Sequence, residues 1–179
     1  EWYGCKKVTI LYDITNDATG HIDMFFKLTK KHEAVLGEYT VVNDPINKAR
    51  MDANKEILEA QVFDDGGQMT VFRLPFPNKG PGNIPRTYLN STLINGAGGT
   101  INLWPIYTED KGIEADALAV WQEAMPEWEH IGIVSDEISL YSGTIHCITR
   151  TIPDLSLQKW VADGKCKDGI CVSEPGAFD

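Results

Sequence analysis

The stretch YLNSTLINGAGGTINLW, residues 88–104, holds two short strand-like runs on either side of a glycine-rich turn sequence. Such a pattern predicts a β-hairpin. Apolar residues then recur at spacings of three and four over 113–125, which predicts an amphipathic helix that ends at Pro126. A further strand-like run follows at 130–134. The succession of hairpin, helix and strand indicates a mixed α/β fold.

The residues before this stretch alternate in the same way. Strands are predicted at 7–12, 22–28, 35–42 and 69–74, with an irregular Pro-rich loop at 75–85. Asp44 and Pro45 are typical of a helix start, and the predicted apolar stripe of that helix is Ala49, Ala53, Ile57 and Ala60.

The residues after 134 extend the pattern. Strands are predicted at 138–141 and 144–149, and a third helix near 155–162. The order strand, strand, strand, helix thus occurs twice and begins a third time. We therefore expect a repeated unit of sheet and helix, although the repeats share no obvious sequence.

Composition excludes several classes of function. The chain has 179 residues, a hydrophobic share of 42% and a formal net charge of -10. That hydrophobic share predicts a globular domain rather than a disordered one. An acidic chain lacks the basic face that nucleic-acid partners require. No window approaches the ~18 apolar residues of a membrane span.

The four cysteines are too few for a dense disulfide framework. Cys166 and Cys171 close a short loop with Gly and polar residues, which predicts a disulfide and hence a secreted protein in an oxidising compartment. If Cys147 stays reduced, Cys5 has no partner within the chain. Cys5 is then either free or bridged to another chain.

Two places put reactive side chains at positions i and i+2 of a predicted strand, where they share a face. His21 and Asp23 form the first pair, and Tyr88 and Asn90 form the second. Each pair is therefore expected to point in one direction.

The third place is 142–149, Ser-Gly-Thr-Ile-His-Cys-Ile-Thr. On a strand, Cys147 shares a face with Ile145 and Thr149, and His146 faces the other way. A base for the Cys147 thiol is therefore expected from elsewhere in the chain.

Each of these residues also has a structural interpretation. A lone Cys is often a small buried apolar residue, and a strand His is often a satisfied core group. Asp23 is compatible with a turn carboxylate, and residues 90–92 form a glycosylation sequon that would expose Asn90. We interpret His32 as a solvated turn residue and His130 as packed at a strand start.

Taken in order, Gly20-His21-Ile22-Asp23, the Asn90 hairpin and 142–149 resemble the guanidine-modifying enzyme superfamily, which has the pentein or α/β-propeller fold. Over roughly 19–153 the chain is similar to the bacterial peptidylarginine deiminase and agmatine deiminase family. The run 117–126 looks closer to the peptidylarginine branch. The resemblance implies about three of five ββαβ-type blades, in a single domain piece spanning 1–179.

The resemblance also implies roles for individual residues. Cys147 is expected to attack the central guanidinium carbon, and His21 to protonate the departing ammonia and then activate water. Asp23 is expected to grip guanidinium N–H groups, with Asn90 and Tyr88 lining the substrate pocket. The reaction needs no metal or organic cofactor, and no ligand cluster resembles the calcium sites of animal relatives.

The chain departs from the family pattern in one important respect. The family has a second substrate-gripping carboxylate in a Trp-x-Arg-Asp type motif, but no Arg-Asp dipeptide occurs in these 179 residues. Glu1 in place of an initiating Met fits a cleavage product. We therefore expect a companion N-terminal chain that carries the missing blades, with Cys5 placed to bond to it.

The resulting expectation is conversion of peptidyl-arginine to peptidyl-citrulline with release of ammonia. Agmatine is the alternative substrate. A non-catalytic guanidinium-binding or structural module that kept the thiol and imidazole is an alternative of a different class. A cysteine hydrolase that cuts peptide bonds is a third, although the sequence has no recognisable oxyanion loop.

Overall fold

The computed structural model describes residues 7–96 and 98–149, together with the backbone of 166–167 and 170–171. The chain divides into two compact units, Glu1–Thr149 and Arg150–Asp179. In the larger unit the helices and strands, in chain order, are β1 (Phe26–Lys30), β2 (Glu33–Glu38), α1 (Pro45–Glu59), β3 (Thr70–Pro75), β4 (Thr92–Gly96), β5 (Gly99–Ile106), α2 (Lys111–Ala124) and β6 (Glu129–Val134).

The two three-stranded sheets of this unit have the same topology. In the first, β1 pairs antiparallel with β2, and β2 pairs parallel with β3 after the α1 crossover. In the second, β4, β5, α2 and β6 repeat that arrangement. The predicted repeat of sheet and helix is therefore confirmed for two units among the described residues, with the corrected order strand, strand, helix, strand. The five-blade count of the propeller remains a prediction.

The strand predicted at 7–12 is wrong, because this segment pairs with side chains rather than with another strand. The Tyr12 N–H donates to Asn54 Oδ1 at 2.7 Å, and Asn54 Nδ2 donates back to the Tyr12 carbonyl at 2.8 Å. Asn47 Oδ1 accepts the Thr15 N–H at 2.8 Å. The chain ahead of β1 is thus held by two amides of α1.

Helix α1 begins where the sequence predicts it to begin. Asp44 caps it by accepting the Asn47 N–H at 3.0 Å, and Pro45 occupies the first turn. The predicted apolar stripe is wrong, however, since Ala49 and Ala60 are exposed. The buried face is instead made of Asn47, Met51, Asn54 and Leu58. Two polar residues are buried there because the 12–15 backbone satisfies them.

The second helix follows its prediction closely. Ala117, Trp121 and Ala124 are buried on one face of α2, which ends just before Pro126. The helix packs against β3 of the first sheet and joins the core cluster that contains Trp104 and Tyr107. The side chains of α2 therefore connect the two repeated units.

The strands predicted at 138–141 and 144–149 are both wrong, because 3₁₀ turns occupy Ile138–Tyr141 and His146–Ile148. Ser142 between them has φ +61°, which interrupts any extended run. The N–H groups of Thr144 and Cys147 bond to a buried side chain rather than to a neighbouring strand.

In the smaller unit, β7 (Cys166–Lys167) and β8 (Ile170–Cys171) pair antiparallel, with Cys166 opposite Cys171 in register. Their side chains lie outside the described residues, so the disulfide stays a prediction. Cys5 and the helix predicted near 155–162 also lie outside them. In the part of the chain that the structure describes, we find no helix with the length and apolar character that crossing a bilayer requires.

Candidate active site

Three segments far apart in sequence meet in one open pocket. Asp23 lies three residues before β1, Asn90 lies two residues before β4, and Cys147 follows β6. The pocket is lined by Gly20, His21, Ile22, Asp23, His146 and Cys147. The segments that precede the first strand of each sheet therefore lie next to each other at this pocket.

The segment that carries His21 and Asp23 is shaped by local turns. Thr19 bonds to the Asp17 carboxylate through both its N–H and its hydroxyl, and Gly20 has φ +60°, where glycine is favoured. A single 3₁₀ turn over Ile22–Met24 follows. It directs Asp23 inward and leaves the His21 side chain exposed in the pocket.

Asn90 is fully buried and organises the pocket floor. Its Nδ2 group donates to Asp23 Oδ2 at 2.6 Å and to Cys147 Sγ at 3.2 Å. Its Oδ1 atom accepts the N–H of Thr144 at 2.8 Å and of Cys147 at 3.3 Å. One amide therefore connects the carboxylate, the thiol and the turn that carries the thiol. Complete burial also rules against the exposed glycosylation loop.

The turn over 142–149 needs a glycine beside the thiol. A Cβ atom added to Gly143 would lie 2.8 Å from both Cβ and Sγ of Cys147. Real Cβ atoms are essentially never found at that distance, so the turn packs directly on the cysteine. The Cys147 side chain is itself exposed and free of any disulfide.

The surroundings of the Cys147 thiol act on its pKa in opposite directions. Burial raises the pKa of the Cys147 thiol, the Asp23 carboxylate raises it further, and the hydrogen bond from Asn90 lowers it. The ammonium group of Lys27 is mostly buried near this thiol, and it donates to the Ser91 carbonyl at 2.6 Å. Desolvation lowers the pKa of Lys27 to about 8, against the attraction of Asp23 and Cys147.

His146 is part of the site, which the strand-based prediction missed. Its Nδ1 lies 2.5 Å from Asp23 Oδ2, and the Cys147 thiol lies 3.7 Å from the same oxygen. The prediction that His146 faces away from Cys147 is wrong because 146–148 is a 3₁₀ turn. On such a turn, neighbouring side chains are not restricted to opposite faces. In the sequence, Ser142 and Gly143 are the residues that indicate a turn here.

Four of the five predicted site residues converge here. The reactive side-chain atoms of His21, Asp23 and Cys147 all lie within 4.8 Å of one another, and they form the candidate metal-ligating group among the described residues. Asn90 lies beneath them. Tyr88 is placed elsewhere: it is fully buried in the core, with its ring 5.5 Å from Trp104. It precedes β4 rather than sharing a strand face with Asn90.

This fold and this site define a class of α/β proteins in which a cysteine, a histidine and a carboxylate meet at the end of repeated units. The sequence model of the Porphyromonas-type peptidyl-arginine deiminases matches residues 1–153. The chain therefore belongs to that family, whose members are deiminase hydrolases acting on guanidino groups.

Named relatives and solved structures agree with this assignment. The agmatine deiminase of Pseudomonas aeruginosa strain LESB58 is 31% identical over 162 residues, which are 77% of this chain and 42% of that protein. The agmatine deiminase of Ectopseudomonas mendocina is 29% identical over 160 residues, again 77% and 42%.

The crystal structure of a candidate arginine deiminase from Porphyromonas gingivalis is 28% identical to the chain, with a TM-score of 0.65. The match covers 75% of this chain and 39% of that one. The chain spans less than half the length of these relatives.

Proposed function

We propose that this chain supplies the thiol, imidazole and one carboxylate of a deiminase that hydrolyses a guanidinium group. The observation that carries the proposal is the convergence of Cys147, His21 and Asp23 within 4.8 Å in an open pocket. Asn90 beneath them donates to both the thiol sulfur and the carboxylate. This arrangement has the parts that a covalent hydrolysis of a planar cation requires.

The chemistry follows from the position of each group. The Cys147 thiolate adds to the central guanidinium carbon and forms a carbon–sulfur bond, and one carbon–nitrogen bond then breaks. His21 gives a proton to the nitrogen that leaves as ammonia. The same imidazole then takes a proton from a water molecule, which displaces the thiolate. The guanidinium becomes a ureido group, and Cys147 is regenerated.

Asp23 binds the substrate through charge. Its carboxylate is 15% exposed and faces the pocket, so it can accept two N–H bonds from a planar guanidinium. A bound cation also opposes the effect of Asp23 on the Cys147 thiol, since positive charge favours the thiolate. Substrate binding is therefore expected to activate the nucleophile. His146, in contact with Asp23, fixes the orientation of the carboxylate.

The site is incomplete in these 179 residues, which lack the Arg-Asp motif of the second carboxylate. We infer that polypeptide beyond this sequence supplies it, as a companion segment that covers the open pocket. Bonding of that segment through Cys5 remains part of the proposal. The substrate's far end would be recognised there.

Two substrates are considered. The family model is named for peptidyl-arginine, whereas the relatives from Pseudomonas and Ectopseudomonas are named agmatine deiminases. The named relatives favour agmatine, which was the alternative expectation. Peptidyl-arginine, with conversion to peptidyl-citrulline, is the second candidate. A secreted location rests on the Cys166–Cys171 bridge, and the opposed register of these residues supports it.

The test is ammonia release from agmatine and from a blocked peptidyl-arginine, with the full-length protein. We expect release from one substrate to be lost in Cys147→Ala and to fall at least about 100-fold in His21→Ala. His32→Asn is the matched control, because Asn tolerates the positive φ of that turn and His32 lies outside the pocket. Unchanged release in Cys147→Ala would overturn the proposal.

A further inference from the structure

We propose that His21, Asp23 and Cys147 also form a binding site for a divalent ion of the zinc class, and that the bound ion switches the active site off. A thiolate, an imidazole and a carboxylate are the ligand types that Zn²⁺ takes in proteins. Three protein ligands and one water molecule complete its tetrahedral coordination. The binding stands on geometry alone, and only the inhibition rests on the proposed function.

The distance between two of the ligands fits a metal ion. With Zn–S about 2.3 Å and Zn–O about 2.1 Å, a tetrahedral angle separates sulfur and oxygen by about 3.6 Å. In the structure, Cys147 Sγ and Asp23 Oδ2 are 3.7 Å apart. An ion can therefore enter between these two atoms without a change in the backbone.

The imidazole needs only a small adjustment. Its ligating nitrogen lies within 4.8 Å of the other two ligand atoms, against about 3.5 Å in a tetrahedral site. His21 is exposed and already lines the pocket, so the shift that its side chain requires is small. Among the described residues the pocket has room at this point for the fourth ligand, water.

Groups around the ligands already form the outer shell that metal sites use. Asn90 and His146 both donate to Asp23 Oδ2, at 2.6 and 2.5 Å, and so orient the carboxylate. Coordination displaces the thiol proton of Cys147 to solvent and replaces it with the metal. The nucleophile, the proton shuttle and the guanidinium-binding carboxylate are then all occupied.

The experiment measures metal protection of one thiol. Cys147 is the sole cysteine in the tryptic peptide 112–150, so its alkylation by iodoacetamide can be followed by mass spectrometry apart from the other three cysteines. We expect saturating Zn²⁺ to slow this alkylation at least about tenfold, a chelator to reverse the effect, and Mg²⁺ to have none. Co²⁺ should show a thiolate charge-transfer band that is lost in Cys147→Ala.

Variants distinguish a three-ligand site from a lone thiol. In His21→Ala and in Asp23→Asn, at least about 100-fold more Zn²⁺ should be required for the same protection. His32→Asn should behave like the wild type, and His21→Ala, which changes an exposed residue, keeps the test independent of folding. Equal protection in all three variants, or none in the wild type, would overturn the proposal. Neither readout depends on turnover, so a failure of the deiminase assay is recognised separately.

Discussion

The side chain of Asn90 is bonded to Cys147 at two points, with Nδ2 donating to the sulfur at 3.2 Å and Oδ1 accepting the backbone N–H at 3.3 Å. The same amide oxygen accepts the Thr144 N–H. A buried residue ahead of β4 therefore positions a thiol that lies 57 residues later in the sequence.

Replacement of Asn90 should affect both stability and thiol reactivity. Asn90→Ala leaves the buried N–H group of Thr144 without its acceptor, which costs about 1–3 kcal/mol, and it also removes the acceptor of the partly buried Cys147 N–H. It also removes the hydrogen bond that lowers the thiol pKa, so that pKa should rise. We expect the free energy of unfolding in urea to fall by about 2 kcal/mol or more, and alkylation to require higher pH. Asn95→Ala, on the exposed hairpin, is the control and should change neither quantity.

Gly143 should tolerate no side chain. In Gly143→Ala the new Cβ would lie 2.8 Å from the Cys147 sulfur, so the turn must shift. We expect deiminase activity to fall at least about 100-fold, because a displacement of about 1 Å in a reacting group has that effect. Gly112→Ala is the matched control, since nothing lies within 4 Å of its added Cβ. Comparable activity in both variants would contradict the close packing described here.

Lys27 should give stability a recognisable pH dependence. Burial lowers its pKa to about 8 in the folded state, against 10.5 as the ordinary value. Between these values the unfolded chain holds a proton that the folded chain has lost, so unfolding becomes less favourable as pH rises. We expect the wild type to gain stability relative to Lys27→Met between pH 8 and 10.5. Urea unfolding at pH 7 and pH 10 checks this, and parallel changes in the two proteins would disprove it.

His130 should make the stability of the protein depend on pH in the acid range. Its Nδ1 faces Asn102 Nδ2 at 3.2 Å, and its Nε2 faces the Met125 carbonyl at 3.1 Å, so the neutral ring satisfies both partners. Burial lowers the His130 pKa below its ordinary 6.5, although the bond to Met125 opposes the shift. The contribution of the neutral His130 ring to the free energy of unfolding is complete above pH 6.5. It declines as the pH falls through the pKa that His130 has in the folded state.

The measurement for His130 is thermal unfolding from pH 7.5 to pH 5. We expect the wild type to lose stability relative to His130→Gln, which has no titrating group at this position. A constant difference between the two proteins over that range would show that the ring is not held in its neutral form.

The features that follow from neighbouring residues could be predicted from the sequence. The cap and Pro45 that start α1, the glycine-rich turn of the β4–β5 hairpin and the apolar face of α2 are all decided within about fifteen residues. The positions of His21, Asp23, Asn90 and Cys147 were anticipated from motifs in a family resemblance.

The features that depend on distant partners could not be predicted. Asn47 and Asn54 form the buried face of α1 because the 12–15 backbone, more than thirty residues earlier, takes their hydrogen bonds. Similarly, the Cys147 turn is bonded to an amide far along the chain, and this brings His146 to Asp23. Periodicity carries no information about such pairings. The buried ring of Tyr88 likewise packs against Trp104, which lies on β5.

The equivalent placement of Asp23 ahead of β1 and Asn90 ahead of β4 has a consequence for how such a protein can be divided. Each repeat contributes one group from the segment that precedes its first strand, so a break in the 76–85 loop would place Asp23 on one fragment and Asn90 on the other. The hydrogen bond from Asn90 to Asp23 would then join two separate chains. The pocket in this architecture is therefore a property of how the repeats associate, and not of either repeat alone.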